Sequence, residues 1–363
     1  MAATEIGVNH PLAQKLWSKR LFHEVIKEQW LSKFMGEDSN SVFQIQSDTQ
    51  KAAGDRITIG LRMLLSGAGI QGDDTLEGNE EALTLYSDNI VINQLRHSTR
   101  SKGKMSEQRV PWSVREENRM ALKDWWSERM EVWAANQLAG NTAQTDTRYT
   151  GNQATITVDA AHLLVAGPNG IGSTGETSIS STTVFGTGNY LTLTDIDRAV
   201  TRAKTISPKI RPLRMGGKEW YVMFLHPYQV GPLRNDAGAN NSWATLQRAA
   251  VQGGDLTNNP IFTGALGVYN NVILHEWSYV PEGVSASAVA TTAIRRAIFA
   301  GAQAAGVAFG QDGGPNQMSW VEELFDYGNQ LGVAAGMIAG LKKMQFNSAD
   351  FGTIVVSSYA PTF

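Results

Sequence analysis

Acid–base or metal chemistry near neutral pH would fall first to the histidines, and the chain has six: His10, His23, His97, His162, His226 and His275. They are scattered, and none stands in an H-E-x-x-H or other spacing that would put two imidazoles on one metal ion. There is no cysteine to act as a thiolate nucleophile, zinc ligand or disulfide partner. No Gly-x-Ser-x-Gly elbow or kinase-type signature supplies an activated nucleophile or a phosphate site. Gly167 to Gly175 is glycine-rich, but it lacks a closing Lys-Ser/Thr and opens no periodic helix, so it reads as a turn-rich loop. Asp73, Asp74, Glu77, Glu80 and Glu81 carry enough charge for a divalent cation, yet lack calcium-loop spacing. A solvated tip, or one facing a basic neighbour, is expected instead. The sequence therefore assigns no catalytic, cofactor-binding or metal residue and points away from an enzyme.

What remains is binding. Arg96, Arg100, Lys102, Lys104 and Arg109 form a basic strip with no aromatic residues interleaved, which argues against single-stranded nucleic acid. Two readings stay open: a solvated face, or a strip that meets the acidic tip of another copy. Trp112, Trp125, Trp126 and Trp133 sit in no sugar-binding or cofactor pattern and read as core and interface anchors.

The charged groups ride on one unit, residues 55–139. Arg56 to Leu65 alternates, with Ile57, Ile59, Leu61, Met63 and Leu65 on one face, which predicts a half-buried strand. Ser66 to Glu81 is glycine-rich and acidic and cannot bury a core of its own. The return arm carries Leu83 and Leu85, loses phase at Ser87-Asp88-Asn89, where a bulge or bend is expected, and resumes at Ile90-Val91-Ile92. The hairpin, 56–98, is expected to project and to pack mostly on neighbouring copies. Ser113 with Glu116 three residues on predicts a capping box, apolar spacing continues to Leu138, and Gly140 stands as a left-handed stop. That helix would span roughly 40 Å at about 1.5 Å per residue.

Elsewhere, Asn9 and Pro11 predict an amphipathic arm helix to Phe34, followed by a polar loop, Glu37 to Gly54. Residues 141–189 read as a Thr/Ser/Gly-rich insertion with few strands. Thr194 is the expected cap of a helix to Ile206, and Trp220 to Leu225 a buried strand ended by a helix starting at Pro227. Further expectations are a helix at 243–251, two strands about Asn270-Asn271, an extended stretch from Trp320 to Lys343 and a last strand at Ile354 to Ser358. At 363 residues the chain exceeds a single core, so two α+β lobes are expected. A net charge of −3 disfavours a globally basic nucleic-acid binder. No basic-then-apolar leader and no run of 18 apolar residues is visible, so a soluble protein made in the cytoplasm is expected.

This order of elements resembles the tailed-phage major capsid proteins of the Hong Kong 97 (HK-97) type fold, in a podovirus-type branch. The wording that carries it is Val8-Asn9-His10-Pro11-Leu12, Leu76 to Ala82, Gln94-Leu95-Arg96-His97 and Ser101 to Pro111. The resemblance covers essentially the whole chain and is most specific from 76 to 139. It implies an N-arm (1–50), an E-loop region (51–110) and a peripheral domain (111–204) with spine helix 113–139 and insertion 141–189. An axial domain (205–324), a returning peripheral strand (325–347) and a C-terminal strand (348–363) complete it. It further implies self-assembly into an icosahedral shell of pentamers and hexamers around a double-stranded DNA genome held by confinement, in the host bacterial cytoplasm. Scaffold, portal and decoration proteins are the implied partners, with no membrane and no cofactor. The residues expected between subunits are Ile57, Ile59, Leu61, Met63, Glu77, Glu80, Glu81, Arg100, Lys102, Lys104, Trp30 and Phe34. The alternative is a soluble carbohydrate- or surface-binding module.

Overall fold

A computed structural model describes residues 30–46, 54–62, 65, 67–72, 75–149, 151, 153–166, 189–235, 266–284, 290–310, 313–314 and 317–360. The arm helix before Trp30, the Trp30 side chain, Met63, Asp73, Asp74, Gly167–Gly175 and the helix at 243–251 lie outside the described residues.

The chain enters through a 3-10 turn, Trp30–Phe34, then strands β1 (Met35–Gly36) and β2 (Phe43–Gln46). A polar loop was expected across β2; Val42 and Phe43 are instead buried, and β2 lies parallel to a strand near residue 305. β3 (Arg56–Arg62) and β4 (Leu85–Val91) form the hairpin, and β5 (Asn93–Arg100) follows. A short helix, α1 (Lys104–Gln108), leads to the long α2 (Val114–Ala139). The Ser113 side chain accepts the Glu116 amide, and Gly140 closes the helix with φ 60° and ψ 42°, as the sequence predicts. Beyond it run β6 (Leu163–Val165) and α3 (Leu193–Thr205). The cap of α3 is Thr192, paired reciprocally with Asp195, two residues before the expected Thr194. Thr194 and Asp197 repeat the same spacing, but the earlier start adds Leu193 to the buried face.

β7 (Leu213–Met215), β8 (Lys218–Leu225), α4 (Pro227–Asn235), β9 (Gly267–Tyr269) and β10 (Val272–Glu276) come next. Asn270 and Asn271, at φ 44° and 62°, make the turn between the last two, a conformation that asparagine tolerates well. The remaining strands are β11 (Glu282–Val284), β12 (Ala290–Ala300), β13 (Ala305–Phe309), β14 (Gly313–Gly314), β15 (Gln317–Phe325), β16 (Gln330–Lys343), β17 (Gln345–Phe346), β18 (Ala349–Asp350) and β19 (Thr353–Tyr359).

Two mixed sheets result. One has the order β1-β2-β13-β16-β15-β14, with β5 also on β16; the other runs β6-β19-β12-β8-β10-β9, with β11 on β12 and β7 on β8. One face of the first sheet (Val333, Ala335, Met337, Ala339, Leu341) packs on α2 through Leu122, Trp126, Met130 and Leu138. α3 covers the second sheet through Ile196, Ala199, Val200 and Ala203. The chain passes between sheets at 300–305, and β15 turns back at Asp326-Tyr327 to pair with β16. The expected single extended stretch is thus a hairpin within one sheet. The 205–324 segment is divided between the two sheets, and β19 returns to the second.

Buried polar groups tie these parts together. The Arg296 guanidinium of β12 donates to the carbonyls of Ala139 and Gly140, at 3.0 and 2.8 Å, so a cation meets the negative end of α2. Lys343 and Asp350, both fully buried, pair at 2.9 Å, and Lys343 also reaches the Thr157 carbonyl. Burial pulls the Lys343 ammonium below the usual lysine range, while Asp350 opposes the shift.

Candidate assembly interface

The root of the β3–β4 hairpin belongs to its own chain. Ile57 is buried with Ile90, Ile92, Met344, Phe346 and Phe351, and Ile59 and Leu61 are half-buried against that cluster. Gly340 permits the approach, because a Cβ there would collide with the Val91 carbonyl. The expected bulge at Ser87-Asp88-Asn89 is absent: pairing runs unbroken from Arg56↔Val91 to Arg62↔Leu85. Asp88 occupies an inward position, in phase with Tyr86 and Ile90, and pairs with the buried Lys342, which also donates to the Asn89 carbonyl at 3.0 Å. The other Asp88 oxygen accepts the Gln345 amide at 3.0 Å. A charge in an apolar phase looks like a break in the pattern; here it is an ion pair on an uninterrupted strand.

The hairpin, expected to run free to residue 98, ends at Val91. β5 joins the first sheet, paired residue for residue from Asn93↔Ala339 to Arg100↔Gly332.

The tip is different. Every described residue from 65 to 85 is exposed, including Leu65, Leu76, Leu83 and Leu85 at 53–66%. Glu81 accepts the Gly67 amide at 2.7 Å and Glu80 the Gly78 amide at 2.8 Å, so two of the three described acids also shape the loop. Among the described residues, the tip is a shaped surface with no buried side chain.

Across the first sheet, the face opposite α2 is covered near its inner end by the hairpin root; beyond it Gly332 and Gly336 are buried by their own chain and Ala334 is half-buried. There Gly332, Ala334 and Gly336 of β16 form a floor, with Arg96, Ser98 and Arg100 of β5 along one side and Val321 and Glu323 of β15 along the other. The Arg96 stem and Ser319 lie directly over Gly336, and the Phe325 ring lies over Gly332. The Arg100 guanidinium sits 4.3 Å from the Phe325 centroid. Lys102, Lys104 and Arg109 extend the positive edge and are exposed.

The tryptophans divide by position. Trp126 and Trp133 are buried, Trp125 stacks on His97 at 4.2 Å, and Trp112 is 57% exposed. Phe34 is half-buried in its own chain, edge-on to Phe224 and His275. Among the described residues, no three His, Asp or Glu side chains converge as a metal site would require, and no helix is long and apolar enough to cross a membrane. Sequence reading missed the small-residue floor. Its signal is the even-numbered run Gly332, Ala334, Gly336, Gly340, visible once β16 is recognised as a two-faced strand.

A family model described as phage capsid protein matches residues 5–362. The chain is 30% identical, over 94% of its length and 93% of the relative's, to the major capsid protein of Pseudomonas phage KPP25. It is similar to the capsid of Ralstonia phage GP4, with TM-score 0.75, 32% identity and 99% of each chain covered. The cyanophage Pam1 capsid shares the fold, with TM-score 0.70, 21% identity and coverage of 91% and 92%.

Proposed function

This chain belongs to the phage capsid protein family as a major capsid protein, a structural subunit of the virion shell, and from that premise we propose how its copies hold one another. The exposed tip of each hairpin lies on the face opposite α2 of a neighbour's first sheet, between its exposed β5 and β15 side chains. The tip leucines cover the half-buried Ala334 and the exposed Val321, and Glu77, Glu80 and Glu81 face Arg96, Arg100, Lys102 and Lys104. The observation that carries this is the presence of an exposed apolar, acidic tip and an exposed basic face on the same chain. Ile57 is spent on its own subunit, so Leu65, Leu76, Leu83 and Leu85 take its place as the apolar contact, with Ile59 and Leu61 flanking.

On this reading the first sheet with α2 is the peripheral lobe and the second sheet with α3 the axial lobe, gathered into pentamers and hexamers of an icosahedral shell. Assembly takes place in the host cytoplasm around a double-stranded DNA genome, with scaffold, portal and decoration proteins as partners. The alternative of a carbohydrate- or surface-binding module gains no support from a family match spanning nearly the whole chain.

Exposed ion pairs are worth only about 0.2–1 kcal/mol each, so reversal must involve several. Lys102→Glu with Lys104→Glu should impair shell formation, and adding Glu77→Lys and Glu80→Lys should restore it in part. Normal assembly of the first double variant would refute the tip-to-face pairing.

A further inference from the structure

The turn Trp30–Phe34, where the described chain begins, is docked on the second sheet through an aromatic contact. Phe34 sets its ring edge-on to Phe224 at 5.2 Å and to His275 at 5.3 Å. Phe224 and His275 are directly paired across β8 and β10, so their rings make one continuous floor. Burial, with Lys33 adding repulsion, lowers the His275 pKa to about 4, and the docked ring is neutral at pH 7. Among the described residues, Lys33, exposed on the turn itself, is a charged side chain that acts on this imidazole. Phe224, its partner on β8, brings no charge, and Glu276, next on β10, points to the opposite face by strand alternation.

We propose that this contact is an acid-sensitive clamp on the N-terminal arm: protonation of His275 beside Lys33 lifts the Trp30–Phe34 turn from β8 and β10, and with it loosens whatever the arm holds in the shell. The clamp is a property of the single subunit. Only its consequence for the shell rests on the proposed function.

The magnitude follows from proton linkage. With an undocked histidine near its ordinary pKa of about 6.5 and a docked one near 4, the opening equilibrium rises about 20-fold between pH 7 and pH 5. Hydrogen exchange read by mass spectrometry on peptides spanning 30–36, corrected for intrinsic rates, measures it in free full-length subunits and in shells. The rise should be present in the native chain, retained in His226→Gln, and abolished in both His275→Phe and His275→Gln. The first of these keeps an aromatic ring, and the second guards against overpacking by it. An equal rise in both His275 variants, or less than a threefold change in the native chain, would overturn the clamp. Opening in free subunits with shells whose arm peptides stay protected at pH 5 would overturn the consequence for the shell alone.

Discussion

Replacing Asp88 by Asn tests whether the hairpin is held at a fixed angle by its root. The Asp88 and Lys342 side chains are only 9% and 7% exposed, and the ammonium has the Asn89 carbonyl as its other acceptor. Asparagine keeps one acceptor oxygen, for the Gln345 amide, and replaces the other with an NH2 donor facing the Lys342 ammonium, so both the charge and its acceptor are lost. Stranding one member of a buried pair costs about 3–5 kcal/mol; with the Asn89 carbonyl still accepting, about 3 kcal/mol is expected. That is roughly a 150-fold rise in root opening, since each 1.4 kcal/mol is a factor of ten. The assay is hydrogen exchange at the β3 and β4 amides together with urea unfolding, and shell yield should fall in parallel. Asp88→Leu with Lys342→Met, which removes both charges, should recover most of the loss, because a well-packed apolar pair often matches a buried ion pair. A single variant within about 0.5 kcal/mol of the native chain, or a double variant as unstable as the single, would show that the Asp88–Lys342 pair does not hold the root.

Truncation should separate arm from core. Removing residues 1–29 should leave folded subunits that form poor shells, whereas removing 1–36 should also destabilise the fold by about 2–5 kcal/mol, because Leu31 is fully buried in the main core; equal urea midpoints would count against this. His226 is buried beside Arg295 and its pKa is lowered to about 4, so the native state keeps it neutral. Its contribution is full above pH 6.5 and lost as pH falls towards 4, by at most about 3 kcal/mol. In His226→Gln the urea midpoint should fall less steeply over that range, and an unchanged slope would refute the assignment.

The local signals were legible wherever a single residue type governs the backbone. Ser113, Gly140, Pro227 and the Asn270-Asn271 turn each fixed an element boundary, and the alternation of Arg56 to Arg62 survives as alternating burial. The misses share a different cause: a partner far away in the chain. Asp88 breaks the hydrophobic phase because Lys342, 254 residues later, neutralises it. β2 looks polar because only Val42 and Phe43 are buried, and its pairing with β13 is set by Ala305 to Ala308. β5 looks like hairpin because its sheet partner, β16, is more than 200 residues downstream. Of the expected interface, the acidic tip and basic strip were visible as charges; the glycine floor between them required the β5–β16–β15 register.

Whether one copy's hairpin tip rests on the basic face of the next copy's first sheet is read directly from a cryo-electron microscopy map of assembled shells at side-chain resolution. Residues 65–85 of each subunit should lie over Ala334 and Val321 of a neighbour, with Glu77 within salt-bridge reach of Arg96, Arg100, Lys102 or Lys104. Shells whose tips stand in solvent, or rest on their own subunit while that face stays bare, would contradict this placement.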